Sequence, residues 1–336
     1  MEILSSSDRD LEKAAAALAS GLLVAFPTET VYGLGADAFN PSALARVFEA
    51  KNRPRFDPLI IHIAEHDALF RIADTESLDK AAAERLCVLS QQLWPGPLTL
   101  VLPKRPNVPD LATSALPTAA VRFPSHPIAQ KLIRFSTGAV AAPSANPFGY
   151  LSPTRADHVK AQLGEKVDFI VDGGRATVGV ESTVLDLSSG TPRLLRPGGI
   201  SREAIEALIG PVEFSFGASV GEEDADEKPV APGQLKSHYA PRTPLVLFRR
   251  GELALLPHAP GEGRLYFSPP ENADSGAADR TRILSGTGNL TEAAANLFDM
   301  LHELDGLGLE RIRAEEAPLL GLGVAINDRL RRAENS

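Results

Sequence analysis

Between residues 22 and 63 the chain alternates short apolar runs with polar, glycine-bearing stretches, and the two clearest strand patterns stand at its ends. Leu22 to Phe26 and Leu59 to Ile63 are leucine-rich or β-branched runs bounded by proline, the pattern of a buried strand. Between them Asn40-Pro41 opens a helix. Asparagine offers an N-cap acceptor, proline already has helical φ, and Leu44, Val47 and Phe48 supply an apolar face. The pattern therefore predicts a strand, loop, helix, loop, strand unit of the kind that builds parallel or mixed α/β sheets. Upstream, Ser7 caps a predicted helix over Asp8 to Ser20 that Gly21 stops.

The same alternation continues downstream. Helices are expected over Glu65 to Arg71, Leu78 to Leu93, Pro127 to Phe135 and Arg155 to Leu163, and strands over Leu98 to Leu102, Ala119 to Phe123, Ala139 to Ala142 and Val167 to Val171. Pro106 to Pro117 reads as an irregular, mobile loop. Ser182 to Leu187 and Arg193 to Leu195 straddle Ser188-Ser189-Gly190-Thr191 as a hairpin, and Ser201 caps a last helix to Ile209. Residues 215 to 232 are rich in Gly, Ser and Pro and carry the acidic block Glu222 to Glu227, which reads as a flexible linker. Order-like character returns with Lys236, His238 and Tyr239. Pro244 to Phe248 and Arg264 to Phe267 then read as strands, and Thr291 to Leu304 as a helix with Leu297, Met300, Leu301 and Leu304 on one face. A first domain over residues 1–212, a linker over 213–242 and a smaller α/β domain over 243–336 follow.

Composition narrows the function classes. The net charge is −9, of which −2 falls on residues 1–210 and −7 on residues 211–336. Total charge thus gives no support for tight sequence-independent nucleic-acid binding, although local basic patches stay open. Cys87 is the only cysteine, which excludes an intramolecular disulfide and a multi-cysteine zinc site; within its helix it is expected to be a packing residue. Residues 14–28 are uncharged but too short to span a bilayer, and Met1 to Lys13 is acidic where a secretory signal would be basic and then apolar. A cytoplasmic protein with no membrane association is expected.

Candidate chemistry concentrates in the loops around the first helix. Thr28, Thr30 and Tyr32 precede Gly33 and Gly35, placing hydroxyls beside backbone that can approach a ligand closely. Past the helix, Lys51, Arg53 and Arg55 would repel one another unless solvent or an anionic ligand offsets the cost. Pro143-Ser144-Ala145-Asn146-Pro147 follows an apolar run, which is where ligands bind at strand ends, but the same residues also suit a plain turn. His62-Ile-Ala-Glu65-His66 spells H-x-x-E-H, yet His62 lies in a strand pattern and the zinc motif needs a helix. Gly33-x-Gly35-x-x-Ala38 fits a dinucleotide turn poorly, and no P-loop sequence is present.

PTETVYGLG, then KNRPRFDPL with IH after it, then APSAN at Ala142 to Asn146, resemble the motifs of the YrdC-like threonylcarbamoyl-adenylate synthases over about Ala14 to Gly210. The segment after Gly210, with PGQLKSHYAP at Pro232 to Pro241, resembles the long form of that family. The resemblance implies a YrdC-like twisted mixed sheet with flanking helices, plus a smaller C-terminal Rossmann-like α/β domain. It implies that L-threonine, bicarbonate or CO2 and ATP, with Mg2+ accompanying ATP, give threonylcarbamoyl-AMP and pyrophosphate for threonylcarbamoyladenosine in tRNA.

By the same resemblance Lys51 and Arg53 are the catalytic cations. ATP falls to Arg53, Asp57, Thr118, Ser144, Asn146, Ser152, Arg196 and Tyr239, with Tyr239 closing over the nucleotide. L-Threonine falls to Thr30, His62, Arg122, Ala142 and Ser182, Arg122 pairing with its carboxylate. Several relatives have Asn at the position of Asp57, where a carboxylate would repel phosphate. Proteins that transfer the threonylcarbamoyl group to tRNA are implied as downstream partners, with at most weak contact to tRNA itself. Two alternatives remain: a double-stranded RNA-binding module without catalysis, and a carbamoyl-phosphate-using domain, whose zinc fingers a lone cysteine denies.

Overall fold

A computed structural model of the chain describes residues 1–214, 238–270 and 279–334. Of the expected linker, residues 215–237, Lys236 among them, lie outside the described residues. In the first domain the elements run β1 (Glu2–Leu4), α1 (Asp8–Ala19), β2 (Val24–Phe26), β3 (Gly33–Asp37), α2 (Pro41–Lys51), β4 (Ile60–Ile63), α3 (Lys80–Leu93), β5 (Leu98–Pro103), α4 (Asp110–Thr113) and β6 (Thr118–Arg122). Then come α5 (Pro127–Phe135), β7 (Ala139–Ala141), α6 (Ala156–Leu163), β8 (Phe169–Val171), β9 (Thr183–Asp186), β10 (Arg193–Arg196), α7 (Arg202–Ile209) and β11 (Glu213–Phe214).

The caps expected from sequence are formed. Ser7 accepts from the amide of Asp10, and Asn40 accepts from Ser42 and Ala43. These strands make one mixed sheet in the order β1-β8-β2-β3-β7-β4-β6-β5-β9-β10-β11. Its main core holds the buried residues of α2 with the leucines and alanines of the central strands.

Four expectations need correction. The stretch after Thr30 is not all loop: Gly33–Asp37 forms β3, antiparallel to β2, so β2 and β4 are separated in the sheet by β3 and β7. Gly35 is needed for packing inside that sheet, because a Cβ there would lie 2.7 Å from the Phe26 ring and 3.0 Å from Val140. Tyr32 turns away from any ligand, its hydroxyl donating to Gly174 O at 2.7 Å. The Pro106 to Pro117 loop contains α4 and is anchored by buried Val108 and Ala112. Cys87, expected to pack, is exposed on α3.

The second sheet is wholly parallel, in the order β12 (Leu245–Phe248), β15 (Arg311–Glu315), β13 (Glu262–Tyr266), β14 (Thr281–Ile283), with α8 (Leu290–Asp305) and α9 (Leu322–Glu334) packed on it. The connection from β14 to β15 runs through α8, the kind of helical crossover that builds Rossmann-like domains. Its core does not stop at the domain. Val31, Leu151 and Val180 of the first domain pack in one buried cluster with Tyr239, Leu297, Phe298, Ile326 and Leu330, each such burial being worth about 1.5–3 kcal/mol. Among the described residues no helix is long and apolar enough to cross a membrane.

Candidate active site

The strand ends of β2, β4, β6, β7 and β10 open on one cleft. Its lining includes nine of the residues expected from sequence: Arg53, Ser144, Arg196 and Tyr239 from the nucleotide set, and Thr30, His62, Arg122, Ala142 and Ser182 from the threonine set. Segments far apart in the chain therefore converge on one site.

Arg122 ends β6 and is 4% exposed. Its Nη1 donates to Thr30 Oγ1 at 2.9 Å and its Nη2 to Glu29 Oε1 at 2.7 Å. A guanidinium carries two N–H groups on each terminal nitrogen, so one on each is left to grip a carboxylate as a fork. Burial pushes the Glu29 carboxyl up, but Arg122 more than offsets this and holds it below the usual carboxylate range. The Thr28 hydroxyl shapes the approach, donating to Val31 O at 2.6 Å and standing 2.9 Å from Thr30 Oγ1. Ser182 is 2.7 Å from Thr99 Oγ1 and accepts from Arg196 Nη2 at 3.1 Å.

The cations after α2 are not a wet loop. Asn52 caps the helix in the left-handed region at φ 52°, which turns the chain inward so that Arg53 is buried while Arg55 stays exposed. Arg53 donates through Nε to Asp57 O at 3.0 Å and through Nη2 to Pro58 O at 2.8 Å. Asp57 Oδ2 lies 2.8 Å from Nη2 as an ion pair, yet neither carboxylate oxygen has an aligned hydrogen bond. Nη1 of Arg53 is left for a ligand. Lys51 Nζ donates to Ser144 O at 2.5 Å and to Asn146 O. Burial first, and Arg53 second, pull the Lys51 ammonium far below its ordinary value.

Five expected site residues do not line the cleft. Lys51 holds the Ser144 to Asn146 backbone from behind. Asp57 stands behind Arg53 as its counter-charge. Asn146 is fully buried, its Nδ2 bonding to Pro147 O and Tyr150 O while Oδ1 has no partner. Ser152 donates to Glu181 Oε1 at 2.5 Å. Thr118 sits at the far end of β6 from Arg122, paired with Pro103, and is half-buried there. Lys51, Asp57 and Ser152 shape residues that do touch the cleft; the side chains of Asn146 and Thr118 have no such link.

Three residues at or behind the cleft escape the sequence reading. Glu29 orients Arg122, Glu181 lines the cleft, and Arg329 of α9 pairs with Glu181 at 2.8 Å. Glu29 lies inside the PTET motif and was legible there as a carboxylate beside an apolar strand; Arg329 gave no local signal.

His62, in β4, is fully enclosed, with Nδ1 3.2 Å from Ile60 O. Burial first, and Arg122 second, lower it to about 3, so it is a neutral imidazole at physiological pH. Its unfolded value is near 6.5, so below that pH the unfolded chain takes up a proton that the native state refuses. Native stability is therefore complete above pH 6.5 and is lost as pH falls, by about 2 kcal/mol between pH 7 and 5 from His62 alone. His158, also lowered to about 3 by burial and by His302, adds a smaller amount because it is partly exposed. Urea unfolding should show a lower midpoint at pH 5 than at pH 7; equal midpoints would contradict the neutral, enclosed imidazole.

Comparison with known proteins agrees with this geometry. Residues 16–198 match a family model described as telomere recombination, and residues 200–334 match one described as threonylcarbamoyl-AMP synthase, C-terminal domain. The threonylcarbamoyl-AMP synthase of Bacillus subtilis is 42% identical, with 98% of this chain and 94% of that protein covered. That of Pyrococcus abyssi is 43% identical, with 95% and 92% covered. A crystal structure of P. abyssi Sua5 complexed with L-threonine superposes with a TM-score of 0.89 at 39% identity, covering 100% of this chain and 98% of the other. With both family models matched in order and relatives aligned along nearly its whole length, the chain belongs to the threonylcarbamoyl-AMP synthase family.

Proposed function

We propose that the chain joins L-threonine, bicarbonate or CO2 and ATP into threonylcarbamoyl-AMP with release of pyrophosphate. The observation that carries this reading is one cleft that offers a carboxylate fork, Arg122, beside a row of phosphate-suited donors, Arg53, Arg196 and the Ser144 loop. The relatives named for this activity, and the neighbour solved with L-threonine, support it.

In this reading Arg122 and Thr30 hold the threonine carboxylate end, and the neutral His62 packs beside it without adding charge. The threonine nitrogen attacks the carbon of CO2 and loses a proton, giving a carbamate. A carbamate oxygen then attacks the α-phosphorus of ATP, and the bond from that phosphorus to the bridging oxygen breaks to release pyrophosphate. No side chain need act as a nucleophile, so positioning and charge stabilisation carry the catalysis. Arg53, kept in place by Asp57 and by two carbonyls, supplies positive charge to the phosphates, and Arg196 supplies more from the opposite strand. Tyr239 covers the nucleotide side and limits water access to the mixed anhydride.

Mg2+ would travel on the ATP phosphates, whose charge it neutralises. Among the described residues no three His, Cys, Asp or Glu side chains converge as a metal cage. Asp57, whose carboxylate oxygens lack aligned hydrogen bonds, is the acidic group beside these phosphate-suited cations. The product would pass, in the cytoplasm, to a protein that places the threonylcarbamoyl group on tRNA.

Pyrophosphate release by the purified chain with ATP, Mg2+ and bicarbonate tests the proposal. Release should require L-threonine and fall when L-serine replaces it. Release without threonine would mean a different acceptor, and absence of release would favour the RNA-binding reading.

A further inference from the structure

Helix α9 buries three consecutive polar residues, Asn327, Asp328 and Arg329, although charged side chains are almost never fully buried without partners. Arg329 is the largest of them, and apart from Asp328 its partners lie outside the C-terminal domain. Its Nε donates to Glu181 Oε2 at 2.8 Å, and Nη1 donates to Pro197 O at 2.8 Å and to Asp328 Oδ2 at 2.5 Å. Its guanidinium carbon is 5.1 Å from the centre of the Tyr239 ring, a cation–π distance. Nη2 is buried with no hydrogen-bond partner.

All but the contact to Asp328 lead to the cleft. Glu181 and Tyr239 line it, Pro197 follows Arg196, and the other Glu181 oxygen takes the Ser152 hydroxyl. The segment before Glu181 is gripped by the same domain. Arg175 donates to Ala295 O and Asn296 Oδ1, and a Cβ on Gly179 would lie 2.4 Å from Ala294 O. Tyr239 itself has φ 65°, a left-handed conformation that a bulky residue keeps only when its surroundings impose it. Arg329 and Phe298, whose ring centre is 5.8 Å from that of Tyr239, are such surroundings.

We propose that Arg329 is a positioning residue for adenylate formation, by which the C-terminal domain fixes Tyr239 over the nucleotide side of the cleft and holds Glu181 in its wall. This rests on the synthase reading above. A buried ion pair is weak evidence for stability, since apolar replacements of the whole pair are often neutral. A role in geometry explains why the charge is placed here.

The test compares wild type, Arg329→Lys, Arg329→Met, the charge-neutral Arg329→Met/Glu181→Gln, Tyr239→Ala and Tyr239→Ala/Arg329→Met, with Arg331→Ala as a control on the outer side of α9. For each, kcat and the KM values for ATP and threonine are read with the thermal midpoint. Misplacing site groups by about 1 Å costs around 100-fold, so Arg329→Met and the charge-neutral double variant should lose about 30- to 100-fold in kcat/KM for ATP while the double variant keeps its midpoint. Arg329→Lys keeps the charge but not the fork and should lose roughly 5- to 10-fold. Arg331→Ala should match wild type. If Arg329 acts through Tyr239, the two losses should not multiply in the double variant.

Wild-type kinetics in a folded Arg329→Met or Arg329→Lys would overturn the proposal, as would losses that multiply. If Arg329→Met does not fold, Arg329→Lys and the charge-neutral variant decide the matter by the same criterion. A wild-type chain that releases no pyrophosphate defeats the synthase reading instead, a result distinct from either.

Discussion

Arg53→Ala lowers threonine-dependent pyrophosphate release by about 100- to 1,000-fold, the cost of removing a preorganised charge from a site where charge develops. Arg53 reaches the cleft with two of its nitrogens already tied to Asp57 O and Pro58 O, so the guanidinium needs little reorganisation when phosphate arrives. The substitution also leaves Asp57 buried beside Lys51 without its main counter-charge, which costs about 3–5 kcal/mol of stability. Arg53→Ala/Asp57→Asn separates the two effects. It should regain most of the stability and none of the turnover. Steady-state kinetics beside a urea titration reads both, and turnover recovered with stability would show that Arg53 serves only the fold.

Arg122→Lys raises the KM for L-threonine by roughly 30-fold and leaves the KM for ATP nearly unchanged. The lysine keeps one positive charge near Glu29 but cannot bond Thr30, Glu29 and a substrate carboxylate at once; the lost charge-assisted hydrogen bond is worth about 2 kcal/mol. Isothermal titration with L-threonine and with an ATP analogue distinguishes this from a general loosening of the cleft. Equal weakening for both ligands would place Arg122 outside the threonine end.

Much of this was legible along the chain because local chemistry and fold agreed. Asn40-Pro41 caps α2 as its residues require, and the Ser188 to Thr191 turn joins β9 to β10 as expected. What escaped did so for physical reasons. Gly33 and Gly35 read as backbone open to a ligand, yet β3 uses Gly35 because Phe26 and Val140 leave no room for a side chain. β1 is three residues at the sheet edge, too short for a period to show.

The candidate site was legible in part. His62 and Ser144 stood out through motifs and Arg122 only through the family resemblance, but nothing local says that Lys51 faces carbonyls rather than phosphate, or that Asp57 and Ser152 support neighbours instead of touching the cleft. Those distinctions depend on which side of a buried loop faces the cavity. Arg329 was the hardest to see, since its partners at the cleft, Tyr239 and Glu181, lie about 90 to 150 residues away in sequence.

The most direct measurement is mass spectrometry of the nucleotide product formed with carbon-13 bicarbonate, L-threonine and ATP. The expected product is an AMP adduct that contains threonine and carries the heavy carbon. An adduct of threonine and AMP without that carbon, or AMP and pyrophosphate alone under conditions where the adduct is stable, would contradict it.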